Sequence, residues 1–318
     1  MTHAQVGCKV EPQMAKITTY THALSLDQAH HLKEVLGSKG LLWEAKPYCL
    51  YSASRPGLAI QVYEKGPKVV VQGKDTEEFV LNVLEPLILG KAELGYEEVL
   101  NPEMYQPHIG VDESGKGDFF GPLVIAGAYV DADVARKLRL LGVMDSKRIG
   151  SDNRISQIAG DILCTKGFIS EVIVIGPERY NELYAKFGNL NKLLAWGHAK
   201  IIELLLNRVP DCPRAISDQF ANPQVLKNAL QSKGREIELI QRTKAESDPA
   251  VAAASILARH RFVSWLHDTG TRLGVELPKG VSENVKTTAR SLINIHGSDV
   301  LKGLTKTHFR TSQELHPT

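Results

Sequence analysis

The 318-residue sequence contains no apolar run of the ~20 residues that a membrane-spanning helix requires. Its longest apolar run, Pro122–Val130, includes Gly127 and is typical of a buried strand. The first residues form neither a basic start followed by an apolar stretch nor an Arg-rich amphipathic pattern, so they predict no targeting signal. Hydrophobic residues make up 43% of the chain, which excludes a largely disordered protein. We therefore expect a folded, cytoplasmic protein that does not enter a membrane.

Cysteine is also scarce, and the net charge is close to zero. Cys8, Cys49, Cys164 and Cys212 lie far apart with no CxxC pair, which argues against a zinc site or a disulfide framework and favours a reducing compartment. The formal charge of +2 combines two unlike regions. Up to Met104 there are 10 Lys/Arg against 13 Asp/Glu, a net of −3, and the remainder has 28 against 23, a net of +5. Net charge alone therefore indicates no class of partner.

A polar segment with two prolines, Gly90–His108, separates two differently organised regions. We predict domains at residues 1–90 and 105–318, joined by a linker at 91–104. The first region has the predicted order β-α-β-β-β-α, which favours a small antiparallel sheet with helices on one face. In the second region strands and helices alternate, which predicts an α/β domain built on a mixed sheet. Its predicted strands are Ile109–Val111, Leu123–Val130, Phe168–Ile175, Ala215–Ser217 and Ile237–Ile240.

The segment IGVDESGKGDFFGPLVIAGAY, residues 109–129, carries the strongest chemical signal. Its glycine and lysine spacing approximates a nucleotide phosphate-binding loop. However, Gly117 stands where such a loop has the hydroxyl that holds Mg²⁺. Asp112 and Glu113 would also place two negative charges beside a polyphosphate. The sequence therefore disfavours a nucleotide-binding loop.

The same residues suit a metal-dependent reaction on a phosphodiester. A strand that ends in adjacent carboxylates, Asp112 and Glu113, offers the oxygen ligands that Mg²⁺ prefers. Gly115 and Gly117 flank Lys116 without side chains of their own, so a sugar-phosphate backbone can approach closely. On these residues alone, an exposed turn after a strand is an equally good interpretation.

Two further carboxylates follow predicted strands. Asp218 comes directly after one, at the kind of strand end where sites gather in α/β sheets. Asn222 precedes a proline and is the better predicted helix cap, which leaves Asp218 available. Asp248 also precedes a proline and is predicted to cap the next helix. Glu246 is then the freer candidate for a ligand.

Several segments, in consistent order from about Gln106 to Phe309, resemble the ribonuclease HIII branch of the type 2 ribonuclease H family. They are GVDESGKGDFFGPL, MDSKRI, NLNKLLAWGHA, ISDQFANP, TKAESDPAVAAASILAR, LPKG and KTHF. The resemblance implies a ribonuclease H-like mixed-sheet catalytic domain, preceded by a small α+β domain similar to the TATA-binding-protein fold. It also implies endonucleolytic hydrolysis of the RNA strand of RNA–DNA hybrids, which leaves 5′-phosphate and 3′-OH ends.

Carried over by position, the family's four catalytic acids fall on Asp112, Glu113, Asp218 and Glu246. The resemblance implies two Mg²⁺ or Mn²⁺ ions held by the first three acids. Glu246 would orient water or help to hold the second ion. It stands where the related ribonuclease HII has Asp, which agrees with the HIII branch, and its longer side chain makes direct metal contact the least certain assignment.

The resemblance also implies where the substrate binds. Gly115, Lys116 and Gly117 correspond to a loop whose backbone meets the ribose 2′-OH, and Ser146 and Lys147 would contact the substrate near the site. Selection should then depend on the 2′-OH and on hybrid shape rather than on base sequence. The expected partner is an RNA–DNA hybrid duplex; no protein partner is implied, and we expect a monomer.

The first domain is expected to hold the duplex on the sheet face that its helices leave open. Gln61 and Tyr63 share one face of their predicted strand, and Lys68, Val70 and Gln72 share one face of the next. For any one of these residues taken singly, an ordinary solvent-facing strand position is the favoured interpretation.

Two other functions are open at this stage. The first is cleavage at single ribonucleotides embedded in DNA, as in ribonuclease HII, which Lys116, Glu246 and the extra domain oppose. The second is a non-catalytic nucleic-acid-binding protein, which the four acids oppose, because carboxylates near a phosphate path weaken binding unless metal occupies them. His198, in the apolar-rich predicted helix Leu190–Asn207, is expected to pack or hydrogen-bond rather than to bind a metal.

Overall fold

The computed structural model describes residues 17–90, 101–143, 149–230, 234–243 and 245–315. Contacts divide the chain into two units, with the boundary between Glu103 and Met104. Within the described ranges, no helix combines the length and the apolarity needed to cross a membrane.

The N-terminal unit is a five-stranded antiparallel sheet with two helices. Its strands are β1 (Thr19–Ala23), β2 (Leu42–Glu44), β3 (Cys49–Arg55), β4 (Leu58–Tyr63) and β5 (Lys68–Gln72), in the spatial order β1-β5-β4-β3-β2. Its helices are α1 (Leu26–Gly37) and α2 (Thr76–Phe79), which continues as a π-helical segment, Val80–Leu89. Ser25 caps α1 as its sequence position predicts, and Gln28 completes a capping box.

Alternation along the strands places the helices on one face of this sheet. Leu58, Ile60 and Val62 of β4 are buried, and they belong to one apolar core with residues of both helices. Gln61 and Tyr63 alternate with them and are only partly buried, so they lie on the helix-free face. The predicted strand order is incomplete, because the short edge strand β2, which pairs with Ser52–Ser54 of β3, was not predicted.

The C-terminal unit is built on a second five-stranded sheet. Its strands are β6 (His108–Ser114), β7 (Leu123–Val130), β8 (Ile169–Ile175), β9 (Arg214–Asp218) and β10 (Glu238–Arg242), in the order β10-β9-β6-β7-β8. Strands β6, β7 and β8 pair antiparallel, whereas β9 runs parallel to both β6 and β10. The sheet is therefore mixed, as predicted.

Helices cover both faces of this sheet. They are α3 (Ala132–Leu140), α4 (Asp152–Leu163), α5 (Pro177–Phe187), α6 (Leu190–Arg208), α7 (Pro223–Ala229), α8 (Pro249–Leu273), α9 (Glu283–His296) and α10 (Arg310–Leu315), and short 3₁₀ turns lie at Pro102–Tyr105, Ala245–Ser247 and Ser298–Gly303. One apolar core lies between the sheet and helices α3, α4, α8 and α9, and a second lies between the sheet and helices α5, α6 and α7.

Helix α8 packs closely on the central strand β6 because β6 has a glycine at the contact. A Cβ atom on Gly110 would overlap the backbone of Ala250 and Val251, in the first turn of α8. Asp112 lies two residues further along β6 and points to the same face. The glycine thus sets how closely α8 approaches the strand that carries the candidate acids.

Candidate active site

The adjacent acids at the end of β6 point to opposite faces of the sheet. Asp112 hydrogen-bonds Ser255 of α8, and its Oδ1 accepts the Glu113 backbone N–H at 2.8 Å. Glu113 points towards α6, where His198 Nε2 lies 2.8 Å from its Oε2. Asp112 is only 7% exposed, and the Glu113 side chain only 2%. One strand therefore presents two nearly buried carboxylates, each held by a helix on a different face.

Burial raises the pKa of both carboxylates, but their net pKa shifts have opposite signs. For Asp112, burial and the neighbouring Glu113 charge raise the pKa to about 7 against the weaker effects of Ser255, the Glu113 amide and His198. For Glu113, burial raises the pKa, but the hydrogen bond from His198 and the positive charges of His198 and Lys116 outweigh it and lower the pKa to about 2. Glu113 is therefore the fixed negative charge. Burial and, to a smaller extent, the charge of Glu113 favour the protonated form of Asp112.

Lys116 supplies the compensating positive charge. Its Nζ donates to Glu113 Oε1 at 2.6 Å. Burial lowers the pKa of Lys116, but the charges of Glu113, Asp112 and Asp218 raise it further, so the net shift is upward. Lys116 thus contacts Glu113 and feels the charges of Asp112 and Asp218, and both oxygens of Glu113 have a partner.

The lysine is carried by a glycine loop, Gly115–Gly121, between β6 and β7. Gly115 has φ +86, and a Cβ atom there would overlap the Pro122 carbonyl oxygen, so this turn requires glycine. Gly117 differs, because a Cβ atom built on it meets nothing within 4 Å. The loop is therefore open to a ligand at Gly117, as its sequence suggested.

Lys306 anchors the far end of the glycine loop. It is completely buried, and its Nζ donates to the carbonyl oxygens of Gly121 at 2.6 Å, Asp118 at 2.9 Å and, more weakly, Phe120 at 3.5 Å. The Asp118 carboxylate accepts the Gly280 backbone N–H at 2.6 Å. Gly280 of the segment LPKG and Lys306 of the segment KTHF thus hold the loop that carries Lys116.

The other two acids lie where β9 meets the turn before α8. Asp218 ends β9, one residue beyond Ser217, which pairs with Val111 of β6. Asp218 Oδ1 lies 3.4 Å from the backbone N of Ala245, in the 3₁₀ turn that contains Glu246. Both acids are partly buried. The fold therefore brings Asp218 beside the end of β6 and links Asp218 to the turn of Glu246.

The helix caps predicted from sequence are confirmed. Asn222 accepts the Gln224 N–H at the start of α7. Asp248 accepts the amides of Ala250 and Val251, and its Oδ1 also lies 2.9 Å from Nε2 of the buried His108. This acid is fully buried, and its Oδ1 is occupied by these structural partners, whereas its Oδ2 faces Arg242 Nη2 at 3.6 Å.

The acids fit a hard divalent cation by their chemistry. Their donors are all carboxylate oxygens, the type that Mg²⁺ and Mn²⁺ prefer. Within the described ranges, no three His, Cys, Asp or Glu side chains already form a group that could hold a metal. Instead, Asp112, Glu113 and Asp218 act on the ammonium of Lys116. These carboxylates already interact with one cation, and a metal at Glu113 Oε1 would share or compete for that oxygen with Lys116.

Not every predicted substrate contact falls on a described residue, and the site also contains contacts that the sequence did not predict. Ser146 and Lys147 lie outside the described residues. The contacts of Ser217 and Lys306 were not predicted from sequence. For His198 the sequence indicated packing or hydrogen bonding, and the second is confirmed, although the identity of its partners was not predicted.

The chain is similar to known proteins over most of its length. Residues 109–312 match the family model described as Ribonuclease HII. The chain is 42% identical to Ribonuclease HIII of Chlamydia abortus and 41% identical to that of Protochlamydia amoebophila, in each case over 94% of this chain and 97% of the relative. Its structure is similar to the crystal structure of Bst-RNase HIII in complex with Mn²⁺, with a TM-score of 0.64 and 28% identity over 94% of this chain and 98% of that one.

Proposed function

The chain belongs to the ribonuclease HIII branch of the ribonuclease HII family, and we propose how its acids hydrolyse the RNA strand of an RNA–DNA hybrid. The family's activity is endonucleolytic and depends on divalent metal. The observation that supports the assignment is the hydrogen bond from Lys116 to Glu113 at the end of β6, with Asp112 beside Glu113 and Asp218 on the adjoining end of β9. A phosphodiester is itself anionic, so these acids need positive charge between themselves and the substrate.

In this proposal Asp112, Glu113 and Asp218 hold two Mg²⁺ or Mn²⁺ ions. When bound, the ions supply an activated water and stabilise the departing 3′-oxygen, which leaves 5′-phosphate and 3′-OH ends. Asp112 would hold an ion at the end of β6, where burial and the neighbouring Glu113 charge raise its pKa and a bound cation would favour its charged form. Glu246, on the turn linked to Asp218, would orient water or help to hold the second ion.

The glycine loop would position the ribose. Gly117 leaves room for the backbone of the RNA strand, and Lys116, once released from Glu113, would contact a phosphate. Recognition of the 2′-OH at this loop would distinguish RNA from DNA. We retain Ser146 and Lys147 as proposed substrate contacts on the sequence alone.

The direct test is cleavage of a fully hybrid duplex with and without EDTA, using Asp112→Asn and Asp133→Asn. Asp133 is a suitable control because its side chain is 79% exposed and forms a surface ion pair with Arg136. We expect Asp112→Asn to reduce cleavage about 1,000-fold or more, since it removes several kcal/mol of charge stabilisation. EDTA should abolish cleavage by the wild type, and Asp133→Asn should cleave normally. Wild-type rates from Asp112→Asn in Mg²⁺ would contradict the assignment.

We further propose that residues 1–90 form a substrate-binding domain whose helix-free sheet face holds the duplex. In the structure Gln61 pairs with Val70, and Tyr63 with Lys68, on adjacent strands, so these side chains form two neighbouring rows of one face. The Tyr63 hydroxyl also donates to Gln61 at 2.9 Å, which orders part of this face. Polar and aromatic groups beside a lysine suit a nucleic-acid backbone.

Simultaneous replacement of Gln61, Tyr63 and Lys68 with Ala tests this role. These side chains lie outside the core, so the variant should remain folded. We expect the hybrid dissociation constant to rise about tenfold or more, with the rate at saturating substrate nearly unchanged. An unchanged dissociation constant, measured by fluorescence anisotropy in EDTA, would refute the proposal.

A further inference from the structure

His198 connects the two strands that carry the proposed metal ligands. Its ring is completely buried in α6, with Nε2 2.8 Å from Glu113 Oε2 and Nδ1 2.9 Å from Ser217 Oγ. A carboxylate oxygen only accepts hydrogen bonds at neutral pH, so Nε2 carries a proton and donates it. The imidazole therefore joins the end of β6 to the end of β9 through two specific contacts.

The contact with Glu113 fixes how its carboxylate faces the site. Oε2 is held by His198 on the helix side, and Oε1 is directed at Lys116. The two oxygens are chemically equivalent, so what the ring fixes is the position and plane of the carboxylate. Without this contact, Lys116 at Oε1 would be its remaining hydrogen-bond partner, and the group could turn away from the site. The imidazole thus restricts Glu113 to one arrangement, with Oε1 as the available ligand atom.

The other end of the ring is fixed as well. The Ser217 hydroxyl is buried, lies beside His198 Nδ1 and donates to the Asp218 carbonyl oxygen at 3.1 Å. The edge of the ring also meets Phe220, with centroids 4.9 Å apart and planes inclined at 66°. Both contacts come from β9 and the residues directly after it, next to Asp218. The orientation of His198 therefore depends on the strand end that carries another proposed ligand.

We propose that His198 is a positioning residue that holds Glu113 in its metal-binding orientation, with its own orientation set by Ser217. The proposal rests on the assignment of Glu113 as a metal ligand, and it adds the group through which α6 controls that ligand. Groups that orient a metal ligand commonly change metal affinity by about 10- to 100-fold when they are removed.

The test compares two amide replacements that fill similar space but reach different ends of the ring. In His198→Gln the amide nitrogen extends to about the position of Nε2 and can still donate to Glu113. In His198→Asn the shorter amide ends near Nδ1 and can reach only Ser217. His267→Asn serves as control, because that side chain is 79% exposed and lies beside the exposed Asp268.

Mn²⁺ affinity measured by calorimetry is the primary measurement, and hybrid-cleavage kinetics are the second. We expect His198→Asn to bind Mn²⁺ about 10- to 100-fold more weakly and to lower kcat, with the KM for the hybrid nearly unchanged. His198→Gln should stay within about threefold of the wild type. Equal behaviour of the Asn and Gln variants, or wild-type Mn²⁺ affinity in both, would overturn the proposal.

Ser217→Ala tests the proposal independently, in case the histidine variants do not fold. It removes the hydroxyl that orients the ring while preserving its contacts with neighbouring apolar groups, and we expect about threefold to tenfold weaker Mn²⁺ binding. If Ser217→Ala and the histidine variants that fold all bind Mn²⁺ like the wild type, the inference fails. Failure of the proposed function looks different, because the wild type itself would then bind no Mn²⁺ or leave the hybrid uncut.

Discussion

Replacing Lys306 with Met should destabilise the C-terminal unit by removing the anchor of the glycine loop. Methionine has a similar unbranched chain and no N–H donor. The Lys306 ammonium directs its donors at three carbonyl oxygens of Asp118, Phe120 and Gly121, of which those at 2.6 and 2.9 Å are the strong contacts. In the Met variant these carbonyl oxygens lose their hydrogen-bond donor, and the methionine side chain that replaces lysine stays buried beside them.

The expected cost follows from two opposing effects. Two acceptors left without a donor cost about 1–3 kcal/mol each. Burial of the lysine is itself unfavourable, since it lowers the pKa of Lys306 to about 7 although the charge of Asp118 raises it, and Met removes that penalty. At pH 7 these effects partly cancel, and we expect a net loss of about 2 kcal/mol.

The pH dependence distinguishes this explanation from simple misfit of the side chain. An unfolded lysine titrates near 10.5, and folded Lys306 near 7, so between these values the folded protein binds fewer protons. The contribution of Lys306 is therefore fully present above pH 10.5 and is lost as the pH falls through 7. At about 1.4 kcal/mol per pH unit, wild-type stability should gain roughly 2–3 kcal/mol from this group between pH 7 and 9. Met cannot titrate, so the difference between the two proteins should grow by that amount.

Urea unfolding of both proteins at pH 7 and pH 9, followed by far-ultraviolet circular dichroism, measures this difference. Lys302→Met is the matched control, since Lys302 lies four residues earlier, is exposed and forms a surface ion pair with Asp299. It should change stability by less than about 0.5 kcal/mol at either pH. A Lys306→Met variant as stable as the wild type at pH 9 would refute the stability that we assign to the Lys306 hydrogen bonds. A stability difference that stays the same at both pH values would refute the titration.

Two glycine substitutions give further, opposite expectations. Gly117→Ala should leave the urea midpoint unchanged, because the added methyl meets open space. If the RNA backbone approaches there, the same variant should raise the KM for the hybrid severalfold. An unchanged KM would show that Gly117 does not contact the substrate. Gly110→Ala should instead destabilise the protein by about 3 kcal/mol or more, because the methyl overlaps the first turn of α8 at Val251, and a variant as stable as the wild type would contradict that packing.

Most of the elements that were predicted correctly are marked by a sequence pattern within the element itself. Strand β7 was predicted to the residue, because Leu123–Val130 is an apolar run bounded by turn residues. The start of α8 was also predicted, since Asp248 before a proline is a cap that needs no distant partner. Strand β2 was not predicted, because three residues at a sheet edge carry no periodicity, and this segment becomes a strand only by pairing with β3.

The same distinction explains which part of the site the sequence revealed. Asp112 and Glu113 are conspicuous in a sequence because two charges directly follow an apolar strand. The bond from Lys116 to Glu113 spans only three residues, and turn geometry could have suggested it. These acids were therefore open to prediction from sequence, whereas the packing that raises one pKa and lowers the other depends on helices far along the chain.

Residues that hold the acids in place follow a different rule. His198 lies in an apolar-rich helix, and its partners stand 85 residues before it and 19 residues after it. A buried polar side chain needs a hydrogen-bond partner, so the sequence predicts that one exists, but its identity depends on which strand ends the fold brings to that helix. Lys306 presents the same problem, since the carbonyl oxygens it binds lie more than 180 residues earlier. Because both residues act through strands or loops that are remote in sequence, their roles follow from the tertiary structure, and their replacement should affect metal binding or loop anchoring without removing any of the four acids.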